Sequence, residues 1–435
     1  MIKEVVFPRG RGKEILHIDG RRLAAVIEPA APPVSAGDES GVVRQALEHP
    51  IGTKRLRDLA AGRKRVLVIS SDHTRPVPSR VTMPLLLSEI RSGNPQAEIT
   101  ILIAAGMHRP TTRQELMEKF GEEIVCRERI EVHRAGDAES MAYFGRLPSG
   151  GELWLNRLVR QADLVVSEGF VEPHFFAGFS GGRKSILPGV ASAKTVLYNH
   201  NARFIADPHA RQGSLTDNPI HRDMLFAAQA AGLSFILNVL LDARHRVAAA
   251  YAGDRELAHQ AGCEACEKMC RAEPVVSDIV FTSNGGYPLD QNVYQSVKGM
   301  TAAEACVRPG GAVVMIAGLG DGHGGEDFYR WFAERNSPEE VTRAIEGIPL
   351  ESTRMDQWEA QILARVMGRA RCWFVTGGEN RRLVTDMHFR WAPTADEALK
   401  EATALLGENA SVTAIPDGVG VILRGKSSFE SNLRG

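Results

Sequence analysis

The sequence predicts an α/β protein: two α/β domains with largely parallel sheets, facing an interdomain active-site cleft. Three observations predict this. In both halves, short apolar runs alternate with amphipathic helical stretches at the pitch of βαβ units. The unusual polar residues fall just after the apolar runs, where open parallel sheets bind ligands. And 435 residues is long for a single core, so more than one domain is the natural expectation.

In chain order, the strand-like "RVLVISSD" (65–72) precedes the helical "RVTMPLLLSEIRSG" (80–93). "EITILIAAGMHR" (98–109) precedes the helical "TTRQELMEKFGEEI" (111–124), and "ADLVVSEGFVEPH" (162–174) continues the alternation. The loops "SDHTRP", "GMHRP" and "EPHFF" therefore converge on one site. A second alternating region starts at "EPVVSDIVFTSNGGYPLDQNVYQSVKGM" (273–300). It runs through "GGAVVMIAGLGDGHGG", "DQWEAQILARVMGRA" and "RCWFVTGG" to "DEALKEATALLG" and "ASVTAIP". The expected division is an N-terminal catalytic domain, 1–272, and a C-terminal domain, 273–435, that closes the cleft. The last ~20 residues stay open to pairing with the N-terminal domain.

Composition narrows the function classes. With 43% hydrophobic and 24% charged residues and a net charge of -1, nothing argues electrostatically for nucleic acid or an anionic membrane as partner. The N-terminus, "MIKEVVFPRGRGKE", lacks the apolar core of a secretory signal. No apolar run approaches a membrane span. A cytoplasmic enzyme acting on a small molecule is expected. Cys263, Cys266 and Cys270 lie in a helix-like stretch along one face and read as small buried hydrophobes rather than a metal site.

Among thirteen histidines, most lack a supporting constellation. His73 is flanked by better candidates, and His323 sits in a glycine cluster. His108 and His174 each follow a strand, and a pair of imidazoles can give and take protons near neutral pH. Set on opposite faces of one planar intermediate, they can serve both mirror-image substrates. Asp72 and Arg75 lie in a loop stiffened by Pro76 and Pro78. Arg75 suits a carboxylate clamp, while an Asp72–Arg75 pair that merely holds the loop remains open.

"GFSGGRKS" (178–185) nearly spells a phosphate loop, but Arg183 stands where the second glycine belongs. Lys184 is then open to three readings: phosphate binding, a Schiff base with pyridoxal phosphate, or a covalent anchor for another cofactor. His200, in "VLYNHN", is placed to return to the same pocket as a metal ligand. Gly320, Gly322 and Gly325 match a dinucleotide fingerprint, although no strand with a ribose-binding acid follows at the expected distance.

Taken together, "DHTRP", "GMHRP", "EPHFFAGFSGGRKSILPGVA", the "NH" at His200 and "YQSVKG" resemble the nickel-pincer lactate racemase family. The resemblance implies that Lys184 is joined covalently to a nickel pincer nucleotide of the pyridinium-3,5-bisthiocarboxylic acid mononucleotide type, with His200 a ligand to nickel. Cofactor-maturation proteins become partners. It implies hydride transfer from a 2-hydroxy acid through a 2-keto acid, with His108 and His174 exchanging the hydroxyl proton. It places Arg75 and Lys298 on the carboxylate, Asp72 behind one of these side chains, and Gln295, Tyr294 and Trp358 along the pocket. Gly178, Gly181 and Gly182 are expected to let the backbone approach the cofactor. Met107 stands where a small polar residue is associated with the family, which bears on substrate choice. Lactate is the default substrate, with larger or sugar-acid 2-hydroxy acids open. A nicotinamide dehydrogenase using the Gly320 loop and a metal- or anion-binding carrier are the rival readings.

Overall fold

The structure, a computed structural model, describes residues 1–29, 34, 36–242 and 244–424. The chain divides into two compact units, one of Ala31–His200 with Asp207–Met269, the other of Met1–Ala30, Asn201–Ala206 and Cys270–Gly435.

The first unit is built on a six-stranded sheet. Its order is Val247–Gly253, Leu233–Leu241, Leu164–Phe170, Arg65–Ser71, Glu98–Ala104, Arg129–Val132. All neighbours are parallel except the antiparallel edge pair formed by Val247–Gly253 and Leu233–Leu241. Val66–Ser70 are buried without interruption, as expected for a parallel strand covered on both faces. From Arg65–Ser71 the chain first builds outward through Glu98–Ala104 and Arg129–Val132, then returns to place Leu164–Phe170 on the other side. The order therefore reverses beside Arg65–Ser71, and a ligand crevice forms at the carboxyl ends of strands at such a point. The loops carrying Asp72, His108 and His174 all leave from that edge.

The second unit repeats the logic with an all-parallel sheet. Its order is Arg390–Ala392, Arg371–Val375, Val307–Ile316, Ser277–Ser283, Val412–Ile415, Leu23–Val26. Here the order reverses at Ser277–Ser283. The loop after that strand leads into helix Val293–Cys306, which carries Tyr294, Gln295 and Lys298.

The units differ from the expected 1–272 and 273–435 division: Asn201–Ala206 and the residues from Cys270 on fall with the C-terminal segment, and so does the N-terminus. Leu23–Val26 is the edge strand beside Val412–Ile415, and the hairpin of Ile2–Arg9 and Gly12–Asp19 buries Phe7, Leu16 and Ile18 in the core of that same sheet. Residues 1–30 thus belong with the C-terminal segment because their apolar face has its partner there. Of the last residues, Ile422–Leu423 pair with Arg271–Ala272 in this unit. Residues 425–435 lie outside the described residues.

Cys263 and Cys266 are buried on helix Leu257–Cys270, and burial pushes the Cys263 thiol up to about 12, which keeps it an unreactive thiol. Among the described residues no helix is long and apolar enough to cross a membrane.

Candidate active site

The loop after Arg65–Ser71 turns at Asp72, a carboxylate only 1% exposed. One of its oxygens accepts from the Thr74 backbone N–H at 3.1 Å and the Thr74 hydroxyl at 2.6 Å. The other meets His108 Nδ1 at 2.7 Å. Burial pushes the Asp72 carboxyl up, but the His108 hydrogen bond and charge, the Thr74 bond and the nearby Arg75 cation outweigh it and hold the group at about 2. An ionised Asp72 is an acceptor only, so His108 Nδ1 carries a proton toward it and Nε2 is left to exchange one. Arg75, half-buried, makes no side-chain hydrogen bond or ion pair among the described residues. Asp72 is spent on His108 and Thr74, so the loop is not held by an Asp72–Arg75 pair.

His108 is fixed from its own loop as well. Its backbone N–H donates to Ala105 at 2.9 Å, and Gly106 donates to the Gly189 carbonyl at 3.0 Å, tying this loop to the lysine segment. Beyond it, Thr112 and Glu115 form a capping box on helix Arg113–Phe120, and Arg109 grips Glu115 through two nitrogens.

A second group forms around the ring of Phe176. The His174 ring stands edge-on to it at 4.5 Å and the His200 ring at 5.0 Å, while Lys184 Nζ lies 5.7 Å from its centroid. His174 Nε2 and Lys184 Nζ are 3.2 Å apart. His200 caps helix Ala193–Asn199 and is 4% exposed. Burial, then the charge of Lys184, pushes its imidazole down to about 3, so the ring is neutral with a lone pair to give. The chain thus brings together His174, Lys184 and His200 in one cluster, and Asp72 with His108 in another.

Arg183 explains why the phosphate-loop pattern fails. It is completely buried, and its guanidinium donates to the carbonyls of Phe179 at 2.8 Å and Ala177 at 2.7 Å, and to His221 Nδ1 at 2.9 Å. The carbonyls turn inward on the guanidinium, whereas a phosphate cradle needs inward N–H groups.

The glycines serve this loop too. Gly178, Gly181 and Gly182 all have positive φ. A Cβ on Gly178 would lie 2.4 Å from the Ser214 carbonyl oxygen, on Gly181 2.7 Å from Asn238 Oδ1, and on Gly182 2.7 Å from the His259 ring. On the side where a Cβ would stand, the protein itself fills the space.

In the second unit Tyr294, Gln295 and Lys298 lie half-buried on helix Val293–Cys306, capped by Asn292. The Trp358 indole N–H donates to the Tyr294 hydroxyl at 3.2 Å. Beside them sits Glu359, fully buried, with no hydrogen bond to either carboxyl oxygen among the described residues. Burial pushes Glu359 well up against the opposing pull of Lys298. The sequence reading passes over Glu359, although its spacing from Leu363 and Val366 puts it on the buried face of its helix. It also passes over Phe176, for which no local signal exists beyond an aromatic pair after His174.

The Gly320 loop is no dinucleotide cradle. Its Gly322 and His323 carbonyls accept from Val293 and Tyr294, and its own N–H groups at Asp321, Gly322 and Gly325 donate to Gln291, Leu319 and His323. Helix Glu326–Ala333 then opens on Glu326 and Asp327, which would repel a pyrophosphate.

One imidazole aligned by a buried carboxylate and another beside a lysine, both on loops at the carboxyl edge of a parallel sheet, are the groups an enzyme uses to exchange protons. The comparisons sharpen this. The chain matches the lactate racemase N-terminal domain over residues 10–213 and the lactate racemase C-terminal domain over residues 272–423. It is 50% identical to a lactate racemase of Thermoanaerobacterium thermosaccharolyticum over 97% of this chain and 99% of that one. It is 49% identical to a lactate racemase of Lactiplantibacillus plantarum over 89% and 91%. The solved lactate racemase apoprotein from T. thermosaccharolyticum aligns with a TM-score of 0.94, covering 97% of this chain and 100% of its own. A Thermotoga maritima protein of 19% identity aligns at 0.62 over 91% and 99%, a likeness of fold alone. The chain belongs to the lactate racemase family, whose class of enzyme is the isomerases.

Proposed function

We propose that the chain interconverts the enantiomers of a 2-hydroxy acid, lactate in the first instance, using a nickel pincer nucleotide joined to Lys184. The observation that carries this reading is the gathering of His174, Lys184 and His200 around Phe176, in a chain half identical to two lactate racemases. The residues fit the group. Lys184 offers an amine, and His200 offers a neutral imidazole, the form that binds a metal. Among the described residues no three His, Cys, Asp or Glu side chains converge as metal ligands, so His200 would be a single protein donor to a metal whose other donors come with the nucleotide. When bound, that group supplies a place to hold a hydride removed from C2.

The chain's own residues do the rest. The C2 hydrogen next to a carboxylate is a poor acid, so it would leave as hydride, and that becomes feasible when the neighbouring hydroxyl gives up its proton and the freed O–H electron pair forms the 2-keto carbonyl. His108, aligned through Nδ1 by Asp72, takes that proton at Nε2 for one enantiomer, and His174 does so for the other. Inversion would be complete once hydride is back on the opposite face of C2 and the opposite imidazole, protonated beforehand, has given its proton to the oxygen. Arg75, half-buried and without a side-chain partner among the described residues, is the carboxylate clamp. Lys298, Gln295, Tyr294 and Trp358 are proposed as further substrate contacts, with the Trp358–Tyr294 bond fixing the phenol.

The test combines mass and isotope. Protein co-expressed with cofactor-maturation proteins is expected to carry a nucleotide-sized adduct on Lys184, absent in K184A. With C2-deuterated L-lactate it should yield D-lactate that keeps its deuterium. Racemisation by protein with an unmodified Lys184, or free loss of deuterium to water, would overturn the reading.

A further inference from the structure

We propose that Glu168, which no part of the reaction above uses, is a positioning residue that locks the Asp72–Arg75 loop and thereby aims His108. The inference rests on the proposed reaction for its kinetic test and on geometry for its argument. Glu168 lies on strand Leu164–Phe170, 2% exposed. Its Oε1 accepts from the Ser70 hydroxyl and from the Ser79 hydroxyl, each at 2.6 Å, and its Oε2 from the Thr82 hydroxyl at 2.5 Å. All three donors are buried to 1% or less.

The origin of those donors matters. Ser70 is in the strand that enters the loop, and Ser79 and Thr82 are in the first turn of the helix that leaves it. One carboxylate thus pins both ends of the segment that carries Asp72 and Arg75. A hydroxyl has a single proton to donate. Ser70 and Thr82 have alternative acceptors at Ser71 O, 3.5 Å, and Pro78 O, 3.3 Å, which are far longer than the bonds to Glu168. The short, charge-assisted bonds therefore take the protons. Glu168 also sits on the strand that runs into the His174 loop, so one residue ties together the bases of two loops. Lys119, whose ammonium is 3.4 Å from Ser71 Oγ, feels Glu168 and Asp72 as its two anions, and it comes from the helix after the His108 loop.

E168Q keeps the shape but replaces an acceptor with an N–H₂ group, so the hydroxyl facing it must accept from the amide and turn its proton to a longer backbone alternative, which weakens its end of the loop. In holoenzyme, E168Q is expected to lower kcat/KM for lactate about 10- to 100-fold, through loss of near-attack alignment. D72N should lower it as well. In the D72N background E168Q should cost less than about 3-fold, because contacts within one network are not additive. S79A, which removes one of the two bonds at the helix end and leaves that of Thr82, should shift the same readouts in the same direction by less, and it stands in if E168Q does not fold. A signature independent of turnover comes from the apoprotein. The downfield Nδ1–H proton resonance of His108, identified by its absence in H108Q, should be present in the native chain and broadened away in E168Q. Equal fold-losses from E168Q in native and D72N backgrounds, or an unchanged His108 resonance, would overturn the proposal. Wild-type turnover and the K184A result bear on the reaction itself and are read separately.

Discussion

Arg183 is a cation shielded from water, and it shapes the charge of every group around it. Its partners are carbonyls and the rings of His221 and His259, with no carboxylate among the described residues hydrogen-bonded to it. Burial lowers even the guanidinium to about 10. Burial and then the Arg183 charge hold His221 at about 2 and His259 at about 3. His133, buried with its ring against the Ala191 carbonyl, is held at about 4, and His200 at about 3. All four start from 6.5, so between that value and the folded one the unfolded chain binds more protons. Their contribution is intact above pH 6.5 and is lost as pH falls toward 4 and below. At pH 5 each of these rings costs about 2 kcal/mol. Asp72, lowered from 3.8 to about 2, adds the same sign further down, its stabilisation fading below 3.8. Urea midpoints of the apoprotein at pH 7.5, 6, 5 and 4.5 should therefore fall steadily, and a flat profile would mean that these rings are not buried neutral. Little of this was legible. The sequence showed that an arginine occupies a glycine's place, but not that the carbonyls around it turn inward. The His108 and His174 pair was legible because each follows a strand, which fixes the sheet edge from which it projects.

Whole elements, rather than single side chains, decide where the chemistry-bearing loops begin. The apolar runs after Arg65, Glu98 and Leu164 were readable because parallel strands are buried on both faces and leave an unbroken apolar signature. The loops between strand and helix were not. Two glycine-rich segments look alike in sequence, and the structure uses both for internal fit: one wraps Arg183, the other caps helix Val293–Cys306 with its carbonyls. Gly181 is the sharpest case. It has φ 77° and ψ -178°, a region essentially closed to other residues, and Asn238 Oδ1 and the Phe170 carbonyl oxygen lie 2.7 and 2.8 Å from where a Cβ would be. G181A should cost about 1–3 kcal/mol from the backbone alone, with the clash added. Because the same turn sets the start of the Lys184 segment, G181A should also lose the adduct proposed for Lys184 on co-expression with cofactor-maturation proteins. Thermal unfolding and intact mass check the two halves. An alanine variant that is modified like the native chain would show that the turn does not position Lys184.

At the scale of the molecule, the two units are threaded by a chain that leaves one and comes back. The sequence reading keeps residues 1–30 with the segment that follows them, because periodicity reports a strand's faces but not its partner. The pairing of Leu23–Val26 with Val412–Ile415 joins segments from opposite ends of the chain, and no local signal carries it. The consequence is testable through Phe7. It is fully buried, its ring 6.2 Å from Phe281, and its hairpin is fastened to helix Ala395–Leu406 by Glu14, which accepts from the Ala395 N–H, and by the His17–Asp396 contact. F7A should cost about 3–5 kcal/mol, the usual loss for a buried phenylalanine. That loss should fall on one unit, since Phe7 belongs to the core that includes Ile279, Val314 and Val412, and the core around Val68, Val166 and Leu237 is separate. Amide exchange of the full chain reads the two apart. Protection in Ser277–Ser283, Val307–Ile316 and Val412–Ile415 should drop by the measured stability loss, while Arg65–Ser71 and Leu164–Phe170 keep theirs. Equal loss in both sheets would mean that the units open as one cooperative body, and the N-terminal hairpin would then support the histidine loops as directly as it supports the sheet it covers.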